Sequence, residues 1–477
     1  MFCFAKHQKA EGSQISSTGS TPPQFMINPF IFRAYDIRGI YPKDLNKEGV
    51  FQIVLAFAKV FPRAKKIVVA CDSRLSSTLL KKEVIDALRG GQREVLDIGL
   101  APDPLFSFVL LHHGFDAGIM VTASHNPKQY NGLILSAKGM GISKKDLEKI
   151  KKIALGEPLK KGKSNGKLAS FSPEKEYISY VFKKIRLKKT LKLVFDCGNG
   201  AMGYLPEKIF KRLGCKTKTI FGKPDGNFPN HLPDPYLDEN LKHLKKEVLA
   251  QKADAGFAFD GDGDRVVLVD NKGRRVSADY CLLLLAKHAL ERKKGPVVTC
   301  VRSSEVFLKE IEKLGVKTYF SVAHHNALIE KIRKVGAVFG GEITTHYFFP
   351  RNFYTVDDAL FSALKLAEIV SGYDDFSKYI DSLPPIYATP EIFVDSKDEE
   401  KFLIVNRLKK YLKKEKIDFI GIDGARILFK NGWALVRASN TSPFIKLRFE
   451  GKTKKDLLQV KIKTSQILKK AGISLRW

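Results

Sequence analysis

Residues 257–265 read FAFDGDGDR, an apolar run followed by Asp260, Asp262 and Asp264 alternating with glycines. Like charges this close repel one another, so the stretch calls for a counter-charge. Alternate side chains of an extended segment share a face, and the intervening glycines let the backbone curl until three carboxylates meet at a point. Oxygen-only ligands suit Mg²⁺, Mn²⁺ or Ca²⁺ rather than zinc. A calcium-binding EF-hand loop requires glycine at its sixth position and glutamate at its twelfth. Counted from Asp260, those positions hold Arg265 and Asn271, so that reading fails. A solvated turn is the plain alternative, and the apolar run before it argues against one. Carboxylates alone leave Mg²⁺ short of six ligands, and it completes its shell with water or phosphate oxygens.

Three further stretches carry functional groups. In VTASHNPKQYNG (121–132), Ser124 sits in a small-residue turn after a strand. It could serve as nucleophile, turn residue or phosphate carrier, and no G-x-S-x-G elbow surrounds it. His125 is its neighbour, and adjacent side chains diverge in extended backbone, which argues against a Ser–His pair. In FGGEITTHYFF (339–349), Glu342, Thr344 and His346 could hydrogen-bond vicinal sugar hydroxyls. In VRASNTSPFIKLRFE (436–450), Arg437, Ser439, Asn440 and Thr441, with Arg448 on the return strand, form a donor set suited to a phosphate.

These loops need elements to hold them. Apolar strands and amphipathic helices alternate from about residue 30 to 380, as in KKIVVACD then STLLKKEVIDALRG, which argues an α/β class with parallel or mixed sheets. A weak internal repeat runs through DAGIMVTASHN (from Asp116), DAGFAFDGDGD (from Asp254) and KVGAVFGGEITTH (from Lys334). Eight residues on from each start lie Ser124, Asp262 and Glu342. Ligands in such sheets bind beyond the carboxyl ends of the strands, so three repeated loops facing one cleft would make a composite site. After SLPPIYATPE the texture changes to DFIGIDGARILF, GWALVRASN and FIKLRFEGK, three strands closed by the helix KDLLQVKIKTSQILKKAG, a smaller α+β unit.

Taken together, FRAYDIRG (32–39), TASHNP (122–127), DGDGDR (260–265), GGE with His346 (340–346) and RASNT (437–441) occur in the order seen in the α-D-phosphohexomutase superfamily. The chain resembles its bacterial phosphomannomutase/phosphoglucomutase branch most closely, over about residues 28–477, with VFDCGNGAMG (194–203) and PDGNFPNHLPDP (224–235) in support. The resemblance implies three similar mixed-sheet α/β domains and a smaller C-terminal α+β domain around a central cleft. The expected division is a disordered tail (1–27), domain I with the phosphoserine loop (28–172), domain II with the metal loop (173–279), domain III with the sugar loop (280–384) and domain IV with the phosphate loop (385–477).

The resemblance also implies roles. Ser124 would carry a phosphoryl group, and Asp260, Asp262 and Asp264 would hold Mg²⁺ together with a phosphoserine oxygen. Tyr35, Arg38, His125 and Arg265 would line the transfer site, with His346 as a further catalytic group. Glu342 and Thr344 would face the sugar, and Arg437, Ser439, Asn440, Thr441 and Arg448 would hold the phosphate that is not reacting. The implied reaction interconverts hexose 1-phosphate and 6-phosphate of mannose or glucose through a 1,6-bisphosphate, with glucose 1,6-bisphosphate (or mannose 1,6-bisphosphate) as activator. A monomer or weak homo-oligomer in the cytoplasm is expected.

Three departures from the family pattern stand out. Ile134 occupies the position of a lysine assigned to acid/base work, leaving His125, His346, Arg38 or Lys138 to compensate, or else an impaired sugar-phosphate-binding homologue. Thr344 and Thr345 replace the serine and glycine of the sugar loop, so position 345 loses glycine's backbone freedom. His324 stands where glycine is expected, and Ile329 stands near an expected lysine that Lys331 could replace.

Composition narrows the remaining classes. The 477 residues carry a formal charge of +31, spread along the chain with no nucleic-acid-binding module, so nucleic acid is not an expected partner. A positive field attracts anionic small substrates. No apolar run spans a bilayer, and the N-terminus through Gln24 lacks a secretory pattern, so no membrane association is expected. The six scattered cysteines read as reduced buried thiols. GNGAMG (198–203) is a literal dinucleotide-binding G-x-G-x-x-G, but the next strand, CKTKTIF, ends without an acid for a ribose, which disfavours a dehydrogenase.

Overall fold

The computed structural model describes residues 27–477 apart from 34, 35, 161, 163, 164, 352, 440–442 and 476. The expected tail, but for Ile27, lies outside the described residues, as does Cys3. The other five cysteines are buried and unbridged.

Near-continuous apolar runs make the central strands, as sheets covered on both faces require. Domain I contains β1 (Ile37–Ile40), β2 (Lys66–Cys71), β3 (Glu94–Leu100), β4 (Ala117–Val121), β5 (Tyr130–Ala137), β6 (Met140–Gly141) and β7 (Leu168–Ser170). Domain II follows with β8 (Lys192–Asp196), β9 (Lys216–Ile220), β10 (Ala255–Phe259) and β11 (Val266–Asp270). Domain III has β12 (Val297–Cys300), β13 (Thr318–Ser321), β14 (Phe339–Gly341) and β15 (Tyr347–Phe348).

The three sheets share one plan. Their orders contain β5-β4-β2-β3, β11-β10-β8-β9 and β15-β14-β12-β13. In each, the first pair is an antiparallel hairpin and the next two pairings are parallel. The sequence repeat is therefore a structural one. Its three polar loops are the hairpin connections after β4, β10 and β14, all at carboxyl ends of strands. The third unit is shorter at this point, so that Glu342 is the first residue after its strand, whereas Ser124 and Asp262 are the third.

Domain IV is an antiparallel sheet ordered β16-β21-β20-β19-β18, with β17 also on β21. Its strands are β16 (Tyr387–Ala388), β17 (Ile392–Asp395), β18 (Phe419–Ile420), β19 (Ala425–Phe429), β20 (Gly432–Ala438) and β21 (Phe444–Gly451). The helices Asp398–Lys414 and Lys454–Lys470 pack on this sheet and complete a separate apolar core.

Length alone predicts a separate core for each domain, and domains I, II and III do each have an apolar cluster of their own, but the structure adds one that they share. One apolar cluster runs from Val68 and Met120 in domain I, through Phe195 and Phe257 in domain II, to Phe339 and Leu360 in domain III. The helix Ala359–Val370 is buried along almost its whole length within this cluster. Burial on all sides matches its sequence, ALFSALKLAEIV, in which charge enters only as Lys365 and Glu368, paired at 2.6 Å. A shared core restrains the first three loops relative to one another. Among the described residues no helix is long and apolar enough to cross a membrane.

Candidate active site

The loop after β4 is held from beneath by one arginine. Arg74 is fully buried and pairs with Asp72 through Nε at 3.0 Å. Its two terminal nitrogens donate to the carbonyls of Ser124 (2.7 Å), Asn126 (2.6 Å), Pro127 (2.7 Å) and Tyr130 (3.1 Å). Thr122 Oγ1 accepts from the Ser124 amide at 2.9 Å and lies 2.7 Å from Asp72 Oδ2 and 3.0 Å from Asp262 Oδ2. The result is a left-handed Ser124, φ 49°, a conformation non-glycine residues seldom adopt.

That conformation overturns one expectation. Ser124 is not extended, so its side chain and that of His125 do not diverge, and Oγ lies 3.1 Å from His125 Nδ1. On its other side Ser124 Oγ donates to Asp260 Oδ2 at 2.8 Å. Burial, together with Arg265 and Arg38, pushes the His125 pKa well below the usual range, so the ring is neutral.

The metal loop meets this serine closely. Asp103 N donates to Asp262 O at 2.7 Å, tying the start of a domain I helix to the loop. At Gly261 a Cβ would lie 2.4 Å from Ser124 O, so only glycine permits the approach. GNGAMG is part of this support and leaves no room for a dinucleotide. Ala201 N donates to Gly261 O at 2.8 Å, and a Cβ on Gly200 would lie 2.7 Å from the same oxygen.

Asp260, Asp262 and Asp264 bring carboxylate oxygens within 4.8 Å of one another. Asp260 and Asp262 are wholly buried, and Asp262 Oδ1 and Asp264 Oδ1 have no hydrogen-bond partner. Burial and mutual repulsion push Asp260 up to about 8 and Asp262 up to about 7. Unpartnered, crowded carboxylate oxygens in a buried loop fit a hard divalent cation, which would stabilise their charged forms.

Beyond the trio, the sugar loop supplies a histidine held by two domains. His346 Nδ1 lies 2.6 Å from Asp357 Oδ2, and Arg265 Nε donates to His346 Nε2 at 3.1 Å. The arginine bond requires a neutral ring protonated on Nδ1. Burial opposes charge on this ring, but Asp264 and Asp357 outweigh it and raise its pKa to about 9, so protonation exchanges the Arg265 contact for a free Nε2–H. Glu342 accepts from Thr344 Oγ1 and from Arg302, each at 2.6 Å. Burial opposes the charge on Glu342, yet Arg302 holds its pKa down at about 2. Thr345 takes φ 68°, the glycine-like conformation that the sequence comparison flags at this position.

A cleft of about 510 Å³ joins these loops to domain IV. Of the expected residues it is lined by Arg38, His125, Asp264, Arg265, Glu342, Thr344, His346, Arg437 and Ser439. Ser124, Asp260 and Asp262 do not line it; they are buried close in sequence to His125, Asp264 and Arg265, which do. Tyr35, Asn440 and Thr441 lie outside the described residues. Arg448 does not line the cleft: it pairs with Asp279 at 2.5 Å and donates to the carbonyl of Arg302, bracing domain IV against domain III. Arg437 Nη2 lies 3.1 Å from Asp423.

Ile134 lines the cleft, and among the described lining residues the one lysine is Lys446, from domain IV. Lys138 sits exposed in the turn after β5, and Lys331 lies over the Tyr319 ring at 5.3 Å; neither lines the cleft. Sequence reasoning missed Arg74, Arg302, Asp357 and Lys446. Arg302 and Lys446 line the cleft, and both reach Glu391, at 3.3 Å and 3.5 Å.

Comparisons with known proteins agree with this geometry. The profiles described as phosphoglucomutase/phosphomannomutase alpha/beta/alpha domains I, II and III match residues 29–160, 175–273 and 277–387, and the C-terminal domain profile matches 391–464. The chain is 35% identical to a Pseudomonas putida phosphomannomutase/phosphoglucomutase over 438 residues, 90% of this chain and 94% of that one. It is 32% identical to a Neisseria gonorrhoeae phosphoglucomutase, over 89% and 93% of the two chains. A crystal structure of a phosphoglucomutase/phosphomannomutase family protein from Burkholderia thailandensis superposes with a TM-score of 0.88 at 33% identity, covering 95% of this chain and all of that one. By its four domains, its fold and its relatives, this chain belongs to the phosphoglucomutase/phosphomannomutase family of isomerases.

Proposed function

We propose that the chain interconverts the 1- and 6-phosphates of mannose, glucose or both, with Ser124 as phosphoryl carrier. The observation that carries this reading is Ser124 Oγ, 2.8 Å from Asp260 in an acid trio whose Asp264, with neighbouring His125 and Arg265, lines a cationic cleft. Phosphoryl transfer asks chiefly for positioning and charge stabilisation. Mg²⁺ held by Asp260, Asp262 and Asp264 would withdraw charge from the transferring phosphoryl group.

The chain's own residues supply the rest. Arg74 fixes the serine loop, while Arg38 and Arg265 face the transferring group. Glu342 and Thr344, oriented by Arg302, take sugar hydroxyls. Arg437, Ser439 and Lys446 form the described part of the cradle for the second phosphate. The His346–Asp357 pair moves the proton of the accepting or departing hydroxyl at Nε2, the role that Ile134 cannot fill. A hexose 1,6-bisphosphate formed in the cleft turns over and returns its other phosphate to Ser124. Glucose 1,6-bisphosphate would keep the serine phosphorylated.

With Mg²⁺ and a trace of glucose 1,6-bisphosphate, the purified protein should convert glucose 1-phosphate or mannose 1-phosphate to the 6-phosphate, and Ser124→Ala should abolish it. The side chain of Ile134 in the cleft supports a second reading, a sugar-phosphate-binding homologue with impaired turnover. A folded sample that binds hexose phosphates but turns none over would establish that reading and overturn the first.

A further inference from the structure

Two motifs, GNGAMG (198–203) and PDGNFPNHLPDP (224–235), take no direct part in the reaction proposed above, yet they meet behind the site. Residues 221–237, between β9 and the short helix Asp238–Leu241, form one long irregular connection. A connection of this length without regular structure is uncommon in a compact domain and is usually functional. Its course touches both halves of the site. At Gly226 a Cβ would lie 2.4 Å from Leu75 N and 2.6 Å from Ser73 O, so the chain abuts the turn that carries Arg74. The Phe228 ring centre lies 5.3 Å from the Arg74 guanidinium. Further on, buried Pro233 packs against the metal loop. A Cβ on Gly261 would lie 3.4 Å from Pro233 Cγ, and one on Gly198 would lie 3.5 Å from Pro233 Cα.

His231 holds this connection down. Its Nε2 lies 3.1 Å from both oxygens of Asp196, and its Nδ1 lies 2.7 Å from Leu232 O. A carboxylate and a carbonyl only accept, so a ring that serves both carries a proton on each nitrogen. Burial opposes that charge, but Asp196 and the Leu232 carbonyl outweigh it and raise the His231 pKa. Asp196 ends β8, is buried, and accepts from the Gly198 amide at 2.9 Å. It is the charged group that faces the ring. Phe221 packs edge-on at 5.4 Å, with His243 on its other side at 5.3 Å. Beside His231, Asn230 Nδ2 donates to Asn199 Oδ1 at 2.7 Å, a second tie between the two motifs.

We propose that His231 is a positioning residue for the metal loop: joined to Asp196, it clamps segment 230–234 so that Pro233 bears on Gly261 and fixes the approach of the acid trio to Ser124. His231 does not line the cleft, so it acts through the loop and not on the substrate. The clamp is tightest while the ring is charged. It is therefore in place at low pH and loosens as pH rises through the pKa of His231.

The test uses the full chain and Mn²⁺ added alone, with free Mn²⁺ read by electron paramagnetic resonance. The binding lost in Asp262→Asn reports on the trio. His231→Gln keeps a donor toward Asp196 and removes the charge. Below pH 6.5, the ordinary histidine value, this variant should bind Mn²⁺ about tenfold more weakly. The pKa of the ring is read from the Cε1 proton resonance that His231→Gln lacks. As pH rises through that value, the two affinities should converge. The double variant His231→Gln with Asp196→Asn leaves no unpaired buried carboxylate and should bind Mn²⁺ as weakly as the single one. Wild-type Mn²⁺ affinity in either folded variant would overturn the positioning. A difference indifferent to pH while His231 titrates would overturn the role of its charge. The kinetic arm alone rests on the proposed reaction: in His231→Gln the Mg²⁺ concentration for half-maximal rate should rise about tenfold, with the KM for hexose phosphate unchanged. An unshifted Mg²⁺ requirement in an active enzyme would overturn the coupling to the transfer site.

Discussion

Arg74→Met tests the support of the serine loop. The substitution keeps the aliphatic stem and removes the guanidinium. Asp72 is then a buried charge without its cation, and the carbonyls of Ser124, Asn126, Pro127 and Tyr130 lose their donors. Removing one partner of a buried pair costs ~3–5 kcal/mol, and orphaned carbonyls add to it. Asp72 retains bonds from the Arg74 amide at 3.0 Å, Ser77 Oγ at 2.5 Å and Thr122 Oγ1 at 2.7 Å, which argues for the lower end of that range. A loop displaced by ~1 Å costs on the order of 10²-fold in turnover. Calorimetry and steady-state kinetics on the wild type, Arg74→Met, Asp72→Asn and the double variant should show a loss of ~3 kcal/mol for the arginine change. The double variant should be less destabilised than the sum of the singles, because it leaves no unpaired charge. An Arg74→Met protein with wild-type melting and turnover would refute the reasoning.

Gly261→Ala forces a Cβ to within 2.4 Å of Ser124 O, so turnover should fall by ~10²-fold, as steady-state kinetics would show. Thr345→Gly relieves a β-branched residue at φ 68°. A left-handed conformation costs ~1–2 kcal/mol and glycine's extra unfolded freedom offsets ~0.5–1 kcal/mol, so calorimetry should find a small gain in stability. Glu342 and Glu391 have folded pKa values of about 2, because Arg302 outweighs the opposing effect of burial. A depressed carboxylate pKa contributes stability above its unfolded value and loses it as pH falls through the folded value. Thermal stability should therefore drop from about pH 4.5 toward 2, and Glu391→Gln should make that drop shallower.

The loops legible in the sequence were those marked by local spacing. DGDGD betrays itself by repulsion, and the three strand–loop repeats put Ser124, Asp262 and Glu342 at equivalent hairpin connections. Domain IV was readable from its turns, Asp423–Gly424 and Asn431–Gly432. The supporting residues were not readable, because each is a single side chain acting over a long sequence distance. Arg74 reaches residues 50 to 56 positions away, and Arg302 reaches Glu342 and Glu391. Arg448 failed for a related reason: it shares a strand face with cleft-lining Lys446, but lies deeper, where Asp279 takes its charge. The Ser124–His125 contact depends on a positive φ that a residue other than glycine does not announce. The continuous core of domains I to III was hidden because strand patterns show that a face is buried and not what covers it.

The central claim is that Ser124 carries a phosphoryl group which the acid trio's cation activates. Intact mass and peptide mapping should be recorded after incubation with glucose 1,6-bisphosphate, with and without Mg²⁺, and again after a chase with glucose 1-phosphate. The account predicts one phosphate on Ser124, whose transfer to the sugar requires Mg²⁺ and fails in Asp262→Asn. A phosphate mapped to another residue, or transfer indifferent to the metal, would contradict it.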